Sequence, residues 1–553
     1  MSTDQLIRIT SWNVAGKDPM INSPMLDYLF DDSKRLNETL RPEIQIVGLQ
    51  EAPQYLFSDP WTSNLSSTLH RRGYILFKRH KLSGILLYIF VLREILLRAR
   101  DFETESVKTG FGGLLGNKGG VCLRFTLNGN SVAAMNSHLA AHQENLQQRV
   151  QDYYSILEGT RFTIDNNTIS VLNHDYTFWF GDLNFRLDNI EKHEVLNIIT
   201  KARTTKSKEE SAKIISALHR NDQLISVRKK GQAFVGFQEN EPRFLPTYKF
   251  VIGSKDAYDS EQRIPAWTDR ILFKTKSAEA IDFKAENQIT NFNPKLEQMF
   301  YDALTETDLS DHKPIVSMFR LSTYDPKVYN PSQVPYEPVK FEPITGWKAS
   351  EDGRLWYKIS DELFYRRPKV LSSWDRLALY KSDFKSLDDY LTVVFVNNIA
   401  RVSPQLNAQE VPYLSSTPST PRSNTPSGSR RGSTSSVSSS SSAVSVAVDA
   451  MTLLSNRSTS PASTSSVQPV LSAAKQSAPG PDEAQNTSIV NSPSVGSLSQ
   501  RPENVIVSDG FKYFSSTFPD DVLIPGQYTV LYLKTTSANE YNVYGMSEPF
   551  TVT

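Results

Sequence analysis

Phe178-Trp179-Phe180-Gly181-Asp182-Leu183-Asn184-Phe185-Arg186 runs from an unbroken apolar stretch through one glycine into Asp, Asn and Arg. Continuous hydrophobicity of this kind marks a strand buried on both faces. Such a strand sets the polar residues at its end rigidly at a sheet edge. A carboxylate to activate water, an amide to orient it and a guanidinium to grip phosphate oxygens are parts of a site for metal-assisted attack on phosphate. The plainer reading is a strand followed by an Asx-type turn, with Asp182 and Asn184 capping backbone amides.

Four further segments in the first 320 residues repeat the pattern of apolar run followed by polar cluster. They are Ile9-Thr10-Ser11-Trp12-Asn13, Ile46-Val47-Gly48-Leu49-Gln50-Glu51, Val132-Ala133-Ala134-Met135-Asn136-Ser137-His138, and Ala266-Trp267-Thr268-Asp269-Arg270 with Ser310-Asp311-His312-Lys313-Pro314 beyond it. Any one of them is an ordinary strand end with a cap residue; together they favour one shared site. Asn13 and Glu51 are hard oxygen ligands of the kind Mg²⁺ prefers, and Asp311 can add a third carboxylate. His138 and His312 can donate to phosphate oxygens, with a carboxylate such as Asp269 holding one ring as imidazolium. Zinc is not expected without a cysteine cluster or His-rich spacing. The single cysteine, Cys122, lies in the apolar run Val121-Cys122-Leu123 and reads as a buried structural thiol, which argues against a covalent thiophosphate. The expected reaction is direct attack of water on phosphorus beside a divalent cation.

Taken in order, Trp12-Asn13-Val14-Ala15-Gly16, Leu49-Gln50-Glu51-Ala52-Pro53, Gly116-Asn117-Lys118-Gly119-Gly120, Asn136-Ser137-His138-Leu139-Ala140-Ala141-His142, Gly181 to Arg186, Pro246-Thr247-Tyr248-Lys249, Pro265 to Leu272 and Ser310 to Pro314 resemble the catalytic domain of the inositol polyphosphate 5-phosphatases. The resemblance covers residues 5–321. It implies an α/β fold, the DNase I-like two-sheet sandwich flanked by helices of the endonuclease/exonuclease/phosphatase superfold, with the site in a cleft at one end of the sheets. It assigns Mg²⁺ to Glu51, with Asn13 beside it and Asp311 near the metal. It makes Asp182 the residue that deprotonates or orients the attacking water and Asn184 the one that steadies the phosphoryl group. His312 contacts the scissile phosphate, Asp269 orients that histidine, and His138 and Arg186 line the cleft.

Glycines from Gly110 to Gly120 let backbone amides approach an anion, and Lys118 brings a positive charge. The segment lacks the spacing and terminal Ser or Thr of a nucleotide P-loop, so ATP is not indicated; a flexible hairpin is the alternative. In the family, Asn117 and Lys118 correspond to substrate-phosphate contacts, and Tyr248 and Lys249 to a grip on a second ring phosphate beside the one removed. The stretch Asp259-Ser260-Glu261-Gln262-Arg263-Ile264 departs from the family, being shorter and less basic. Arg263 is the candidate substitute for a missing lysine. The longest apolar run, Leu82 to Leu92, falls short of the ~20 residues a transmembrane helix needs and reads as a buried strand. By resemblance its N-terminal edge, with Lys81, Leu82 and Ile85, touches lipid chains, and Leu114 and Leu115 dip into an anionic membrane surface beside it.

The 553 residues exceed one typical domain, and one cysteine excludes a disulfide scaffold. No apolar segment follows Met1, so no secretory signal is expected. Lys plus Arg total 60 and Asp plus Glu total 60, a balance that gives no general affinity for nucleic acid. From Tyr336 to Asn398 the chain is aromatic and strand-like; then roughly three residues in ten become serine and aromatics nearly vanish, the composition of a disordered segment. Strand patterning resumes at Tyr528 to Leu533 and Tyr541 to Phe550. Ser372 to Tyr380, with Gly526-Gln527-Tyr528 and Gly545 to Phe550, resembles the SKICH domain, an immunoglobulin-like β-sandwich. Closing a loop of a hundred residues costs little more than closing one of fifty. The expected organisation is therefore a catalytic domain at 5–321, a linker at 322–335, a SKICH domain in two parts at 336–400 and 506–553, and a disordered Ser/Pro-rich insertion at 401–505. By resemblance SKICH directs the protein to membranes or protein partners, giving a cytoplasmic protein peripherally attached to the plasma membrane or endoplasmic reticulum. Arg430-Arg431-Gly432-Ser433 and Thr417, Thr420, Thr425, Ser460 and Ser492, each before a proline, are candidate phosphorylation motifs, or an unmodified spacer.

Two other function classes compete. A nuclease of the same superfold keeps Glu51, Asp182, Asn184 and His312 but gives Tyr248 and Lys249 no role. A catalytically dead adaptor predicts a missing catalytic group, and none is missing.

Overall fold

The computed structural model describes residues 2–19, 24–33, 35–36, 40–56, 59–164, 167–259, 261, 263–276, 294–324, 337–349, 351–361, 363, 371–372, 374–396, 511–518, 523–537 and 540–553. The insertion at 401–505 with its phosphorylation motifs, most of the linker, Ser260 and Gln262 lie outside the described residues.

Two sheets form the N-terminal part. The six-stranded sheet runs β12 (Leu296–Ala303), β13 (Ile315–Tyr324), β1 (Ser2–Asn13), β2 (Ile44–Gln50), β4 (Ile85–Leu92), β3 (Tyr74–Leu82). The five-stranded sheet runs β11 (Asp269–Thr275), β10 (Tyr176–Asp182), β7 (Asn130–His138), β6 (Leu115–Leu127), β5 (Ala99–Gly110). They share one apolar core, which is why β2, β4 and β10 are buried at every position and read as unbroken hydrophobic runs. A hairpin of β8 (Arg161–Ile164) and β9 (Asn167–Ser170) stands apart from both sheets. The helices are α1 (Pro24–Leu29), α2 (Pro60–His70), α3 (Leu146–Gly159), α4 (Lys192–Thr204), α5 (Lys208–Ile215) and α6 (Gln223–Lys229); α2 lies against β3 and α3 against β5 and β6. The fold is the DNase I-like α/β sandwich. Among the described residues no helix is long and apolar enough to cross a membrane.

Two strand pairings set the site. β10 runs parallel to β7 and antiparallel to β11, in a register that puts Asp182 opposite both His138 and Asp269. β1 runs parallel to β2 with Asn13 opposite Gln50, so Glu51 follows one residue later. Gly181 is required in the first arrangement: its φ is +134°, and a Cβ there would collide with the Ser137 carbonyl.

Among the described residues the strands of the C-terminal part form two further sheets. β14 (Val339–Phe341), β15 (Gly353–Ser360) and β18 (Phe511–Phe518) form one sheet. β17 (Thr392–Phe395), β16 (Arg376–Lys381), β19 (Gly526–Ser537) and β20 (Glu540–Met546) form the other, with β21 (Phe550–Val552) on β19. β15 pairs with β18 and β16 with β19, so residues from both sides of the 397–510 stretch share both sheets. Their inner faces bury Trp347, Tyr357, Leu379, Tyr532 and Phe550, with Trp347 stacked on Phe550 at 5.6 Å.

Buried His174 supplies a stability prediction. Its Nε2 accepts from Arg124 Nε at 3.1 Å, so the ring proton sits on Nδ1 and goes to the Val171 carbonyl at 3.0 Å. Burial, then the Arg124 charge, push its pKa down to about 4. The unfolded chain takes up that proton near pH 6.5 and the folded chain only near 4. This contribution is therefore full above pH 6.5 and lost as pH falls to 4, about 3 kcal/mol in all. Urea unfolding at pH 7.5 and 4.5 should show the wild-type loss shrinking by about 2.5 kcal/mol in His174→Gln; an unchanged pH dependence would contradict it.

Candidate active site

The ends of β1, β2, β7 and β10 and the starts of β11 and β13 converge. Asp182 is buried and accepts from Asn13 Nδ2 at 3.0 Å; its Oδ2 lies 3.2 Å from His138 Nε2 and 4.0 Å from His312 Nε2. Burial opposes the charge on Asp182. The His312 charge, the His138 hydrogen bond, and the His138 and Lys118 charges outweigh it, holding the carboxyl well below the usual range.

His312 Nδ1 lies 2.9 Å from Asp269 Oδ2. The same carboxylate accepts from the Thr247 and Thr268 hydroxyls at 2.7 and 3.0 Å. Burial disfavours the imidazolium, but the charges of Asp269 and Asp182 prevail and push the His312 pKa up to about 9. Trp12 Nε1 donates to the His312 carbonyl at 3.0 Å, and Ser310 Oγ donates to the Asn13 carbonyl at 2.7 Å, tying the loop before β13 to β1.

His138 Nε2 also contacts Lys118 Nζ. Burial and then the Lys118 charge pull the His138 pKa down. Burial likewise pulls Lys118 down, against Asp182 and Glu51. Gln50 Nε2 donates to Asn136 Oδ1 at 2.6 Å between the sheets, and Asn136 Nδ2 donates to the carbonyls of Leu49 and Leu86 at 3.0 and 2.7 Å. This bracket anchors the strand end from which Glu51 emerges, 3.6 Å from His138 Nε2, with its side chain 48% exposed.

Tyr248 stacks on His312, ring centres 4.3 Å apart, and carries the Arg186 guanidinium on its ring at 4.7 Å. Lys249 Nζ lies 3.5 Å from Asp259 and 4.0 Å from Asp311. Arg263 meets His142 Nδ1 at 2.9 Å. His142 and Lys118 line a cavity of about 430 Å³.

One expectation changes, at Leu82 and Ile85. Asn184 donates from Nδ2 to the Leu139 carbonyl at 3.1 Å and accepts from Arg186 at Oδ1. Asp311 Oδ2 lies 4.0 Å from Lys249 Nζ, and its Oδ1 lies 3.5 Å from the Ser310 hydroxyl that donates to the Asn13 carbonyl. Leu82 and Ile85 are core residues, 8% and 1% exposed, and cannot meet lipid. Leu82 packs beneath Gly116 and Gly119, where a Cβ would crowd it. Lys81, Leu114 and Leu115 are exposed, the two leucines at 72% and 55%, with Phe111 beside them at 80% and Asn117 on the same loop. Thr247, Thr268 and Phe111 escaped the sequence reading; only adjacency to the motifs marked them.

The donors suit a hard cation. Glu51 presents a half-exposed carboxylate beside Asn13, and no thiolate is near, since Cys122 is buried in the core. Among the described residues Asp182, Asp269 and His312 also lie close enough to share an ion, but Asp269 and His312 already engage each other.

The class follows first. The profile of Endonuclease/Exonuclease/phosphatase family 2 matches residues 10–318, and that of the SKICH domain matches residues 339–424. Over 402 residues, 71% of this chain, the sequence is 30% identical to mouse (Mus musculus) inositol polyphosphate 5-phosphatase K, covering 79% of that protein. It is 29% identical to rat (Rattus norvegicus) phosphatidylinositol 4,5-bisphosphate 5-phosphatase A, spanning only 37% of that protein's length. A solved inositol polyphosphate 5-phosphatase domain of SPsynaptojanin, in complex with inositol (1,4)-bisphosphate and calcium ion, is 29% identical with a TM-score of 0.47, covering 58% of this chain and 86% of that one. The chain belongs to the inositol polyphosphate 5-phosphatase family.

Proposed function

We propose that the protein removes the 5-phosphate of phosphoinositides, PtdIns(4,5)P2 and PtdIns(3,4,5)P3, and of soluble inositol polyphosphates, by direct attack of water with Mg²⁺ bound. The observation that carries this reading is the buried row His138–Asp182–Asp269–His312 with Tyr248 stacked on its last member and Lys249 next in sequence. A nuclease needs the row but not the Tyr248–Lys249 wall, and the wall suits a second phosphate on the inositol ring that loses its 5-phosphate.

Phosphoryl transfer asks mainly for positioning and charge. His312, held as imidazolium by Asp269, donates from Nε2 to the scissile phosphate and stabilises charge developing on it. Asp182, kept ionised among cationic groups, is a weak proton acceptor; it orients the attacking water by accepting its hydrogen bond, and as the bond from phosphorus to the ring oxygen breaks, one water proton stays on the phosphate and the other ends on the freed inositol hydroxyl. Lys118 adds positive charge beside it, and Asn184 fixes Arg186 over Tyr248. Glu51 with Asn13 would hold Mg²⁺, which neutralises phosphoryl oxygens when bound. Phe111, Leu114 and Leu115, with the exposed Lys81, suit an anionic lipid surface, and the C-terminal sandwich directs the protein to membranes or partners on their cytoplasmic side.

The test is phosphate release from liposomal PtdIns(4,5)P2, PtdIns(3,4,5)P3 and soluble Ins(1,4,5)P3, with and without EDTA, beside nicking of plasmid DNA. Release that stops in EDTA and returns with Mg²⁺, with DNA intact, is expected; DNA nicking without phosphate release would favour the nuclease. In the same assay Lys249→Met should lower kcat/KM for Ins(1,4,5)P3 by about 10–100-fold, the loss of one charge-assisted phosphate contact, with little change for an inositol monophosphate. Equal losses on both would deny Lys249 a ring-phosphate role.

A further inference from the structure

β3 and β5 are the edge strands of the two catalytic sheets, and exposed edges invite pairing with other chains. Here the C-terminal sandwich covers them. Leu76 in β3 donates its N–H to the Lys385 carbonyl at 2.8 Å and accepts from Leu387 N at 3.3 Å, a strand-like join. Arg93, just past β4, donates to the Phe384 carbonyl at 3.0 Å and lies 4.2 Å over the Phe384 ring. On β5, Asp101 N donates to Asn542 Oδ1 at 2.7 Å while Asn542 Nδ2 donates to Asp101 Oδ1 at 2.9 Å. Asn542, Phe384 and Leu387 are buried, and Phe384, Leu387 and Val543 belong to the same apolar cluster as the catalytic sheets.

The strand held at Leu76 leads to the catalytic centre. Seven residues on, ~23 Å along an extended strand, the β3–β4 turn accepts Ala52 N at the Gly84 carbonyl (3.0 Å) and Gln54 Nε2 at Ser83 Oγ (2.6 Å). These bonds brace the chain immediately after Glu51. Leu82 supports the glycine-rich loop from below at Gly116 and Gly119, on either side of Lys118.

We propose that the C-terminal sandwich is a positioning element of the catalytic site: it grips one end of the β3–β4 hairpin whose other end braces Glu51 and the Lys118 loop. Undocking the sandwich loosens both, so a ligand that competes for the docking face lowers the rate. The kinetic consequence rests on the function proposed above; the mechanical one does not.

The Asp101–Asn542 pair allows a clean test in the full chain. Asn542→Asp sets two carboxylates against each other, whereas Asp101→Asn with Asn542→Asp restores both hydrogen bonds and still accepts from Thr126 Oγ1, which Asp101 Oδ2 does at 2.8 Å. Asparagine also suits the positive φ of residue 101, +55°. The probes are amide hydrogen exchange at Leu76, Ala52 and Gly84 without substrate, and hydrolysis of soluble Ins(1,4,5)P3, which removes any effect of membrane recruitment. In Asn542→Asp combined with Arg93→Ala, exchange should speed up at all three amides, kcat should fall and the Mg²⁺ concentration for half-maximal rate should rise, each by about fivefold. Asn542→Asp alone should move the same way, and the double swap should return all readouts to wild type. Faster exchange at Leu76 with wild-type exchange at Ala52 and Gly84 overturns the proposal. So does unchanged protection of Leu76 in the combined variant. If the wild-type protein hydrolyses no inositol phosphate, the function fails while the exchange data still decide the coupling.

Discussion

Asp182→Asn lowers kcat on Ins(1,4,5)P3 by about 10³–10⁵-fold, the range expected when a group aligned only with the transition state is lost. The amide keeps the volume of a buried side chain that accepts from Asn13 Nδ2, but not the charge that steadies His312 and Lys118. KM should change little, because Tyr248 and Lys249, proposed above to hold a ring phosphate, are unaltered. A variant within tenfold of the wild-type rate would remove Asp182 from the centre of the mechanism, and the water would need another acceptor.

The second large effect falls on a residue that need not touch substrate. Asp269 carries His312 through Nδ1 and is itself fixed by two threonine hydroxyls. Asp269→Asn removes the main support of the imidazolium, so kcat should fall by about 10³-fold or more, as when a histidine loses its orienting carboxylate. The pH profile separates this from simple misfolding. With the His312 pKa at about 9, wild-type kcat/KM should hold through neutrality and fall as pH rises through 9. In the variant that limb moves toward the ordinary histidine value near 6.5. A variant with an unmoved alkaline limb would show that the limb belongs to another group.

The candidate site residues were legible because they sit where apolar runs end, and a strand end is the one place where sequence order dictates position in the fold. Asn13, His138, Asp182 and Asp269 close or open a strand and Glu51 follows β2 by one residue, and pairing then brings them together. Side-chain direction was not legible. Asn184 sits at a positive φ of 57°, and nothing in the sequence names the Leu139 carbonyl and Arg186 as partners of its amide. Leu82 and Ile85 flank a turn, which reads as surface; they are buried because a glycine-rich loop, free of side chains at Gly116 and Gly119, settles onto Leu82. Docking of the C-terminal sandwich was hidden for a different reason. The join at Leu76 uses main-chain atoms, which every residue carries, and its polar partners Asp101 and Asn542 lie 441 positions apart.

The central claim concerns which phosphate leaves. Tyr248 and Lys249 should hold one ring phosphate while His312 and Asp182 act on its neighbour, so the regiochemistry of the product reads the geometry of the site. The decisive measurement is the identity of the lipid left after Mg²⁺-supported turnover of PtdIns(4,5)P2, by wild type and by Asp182→Asn. PtdIns4P from the wild type and none from the variant is the predicted result; PtdIns5P, or equal product from both proteins, would contradict it.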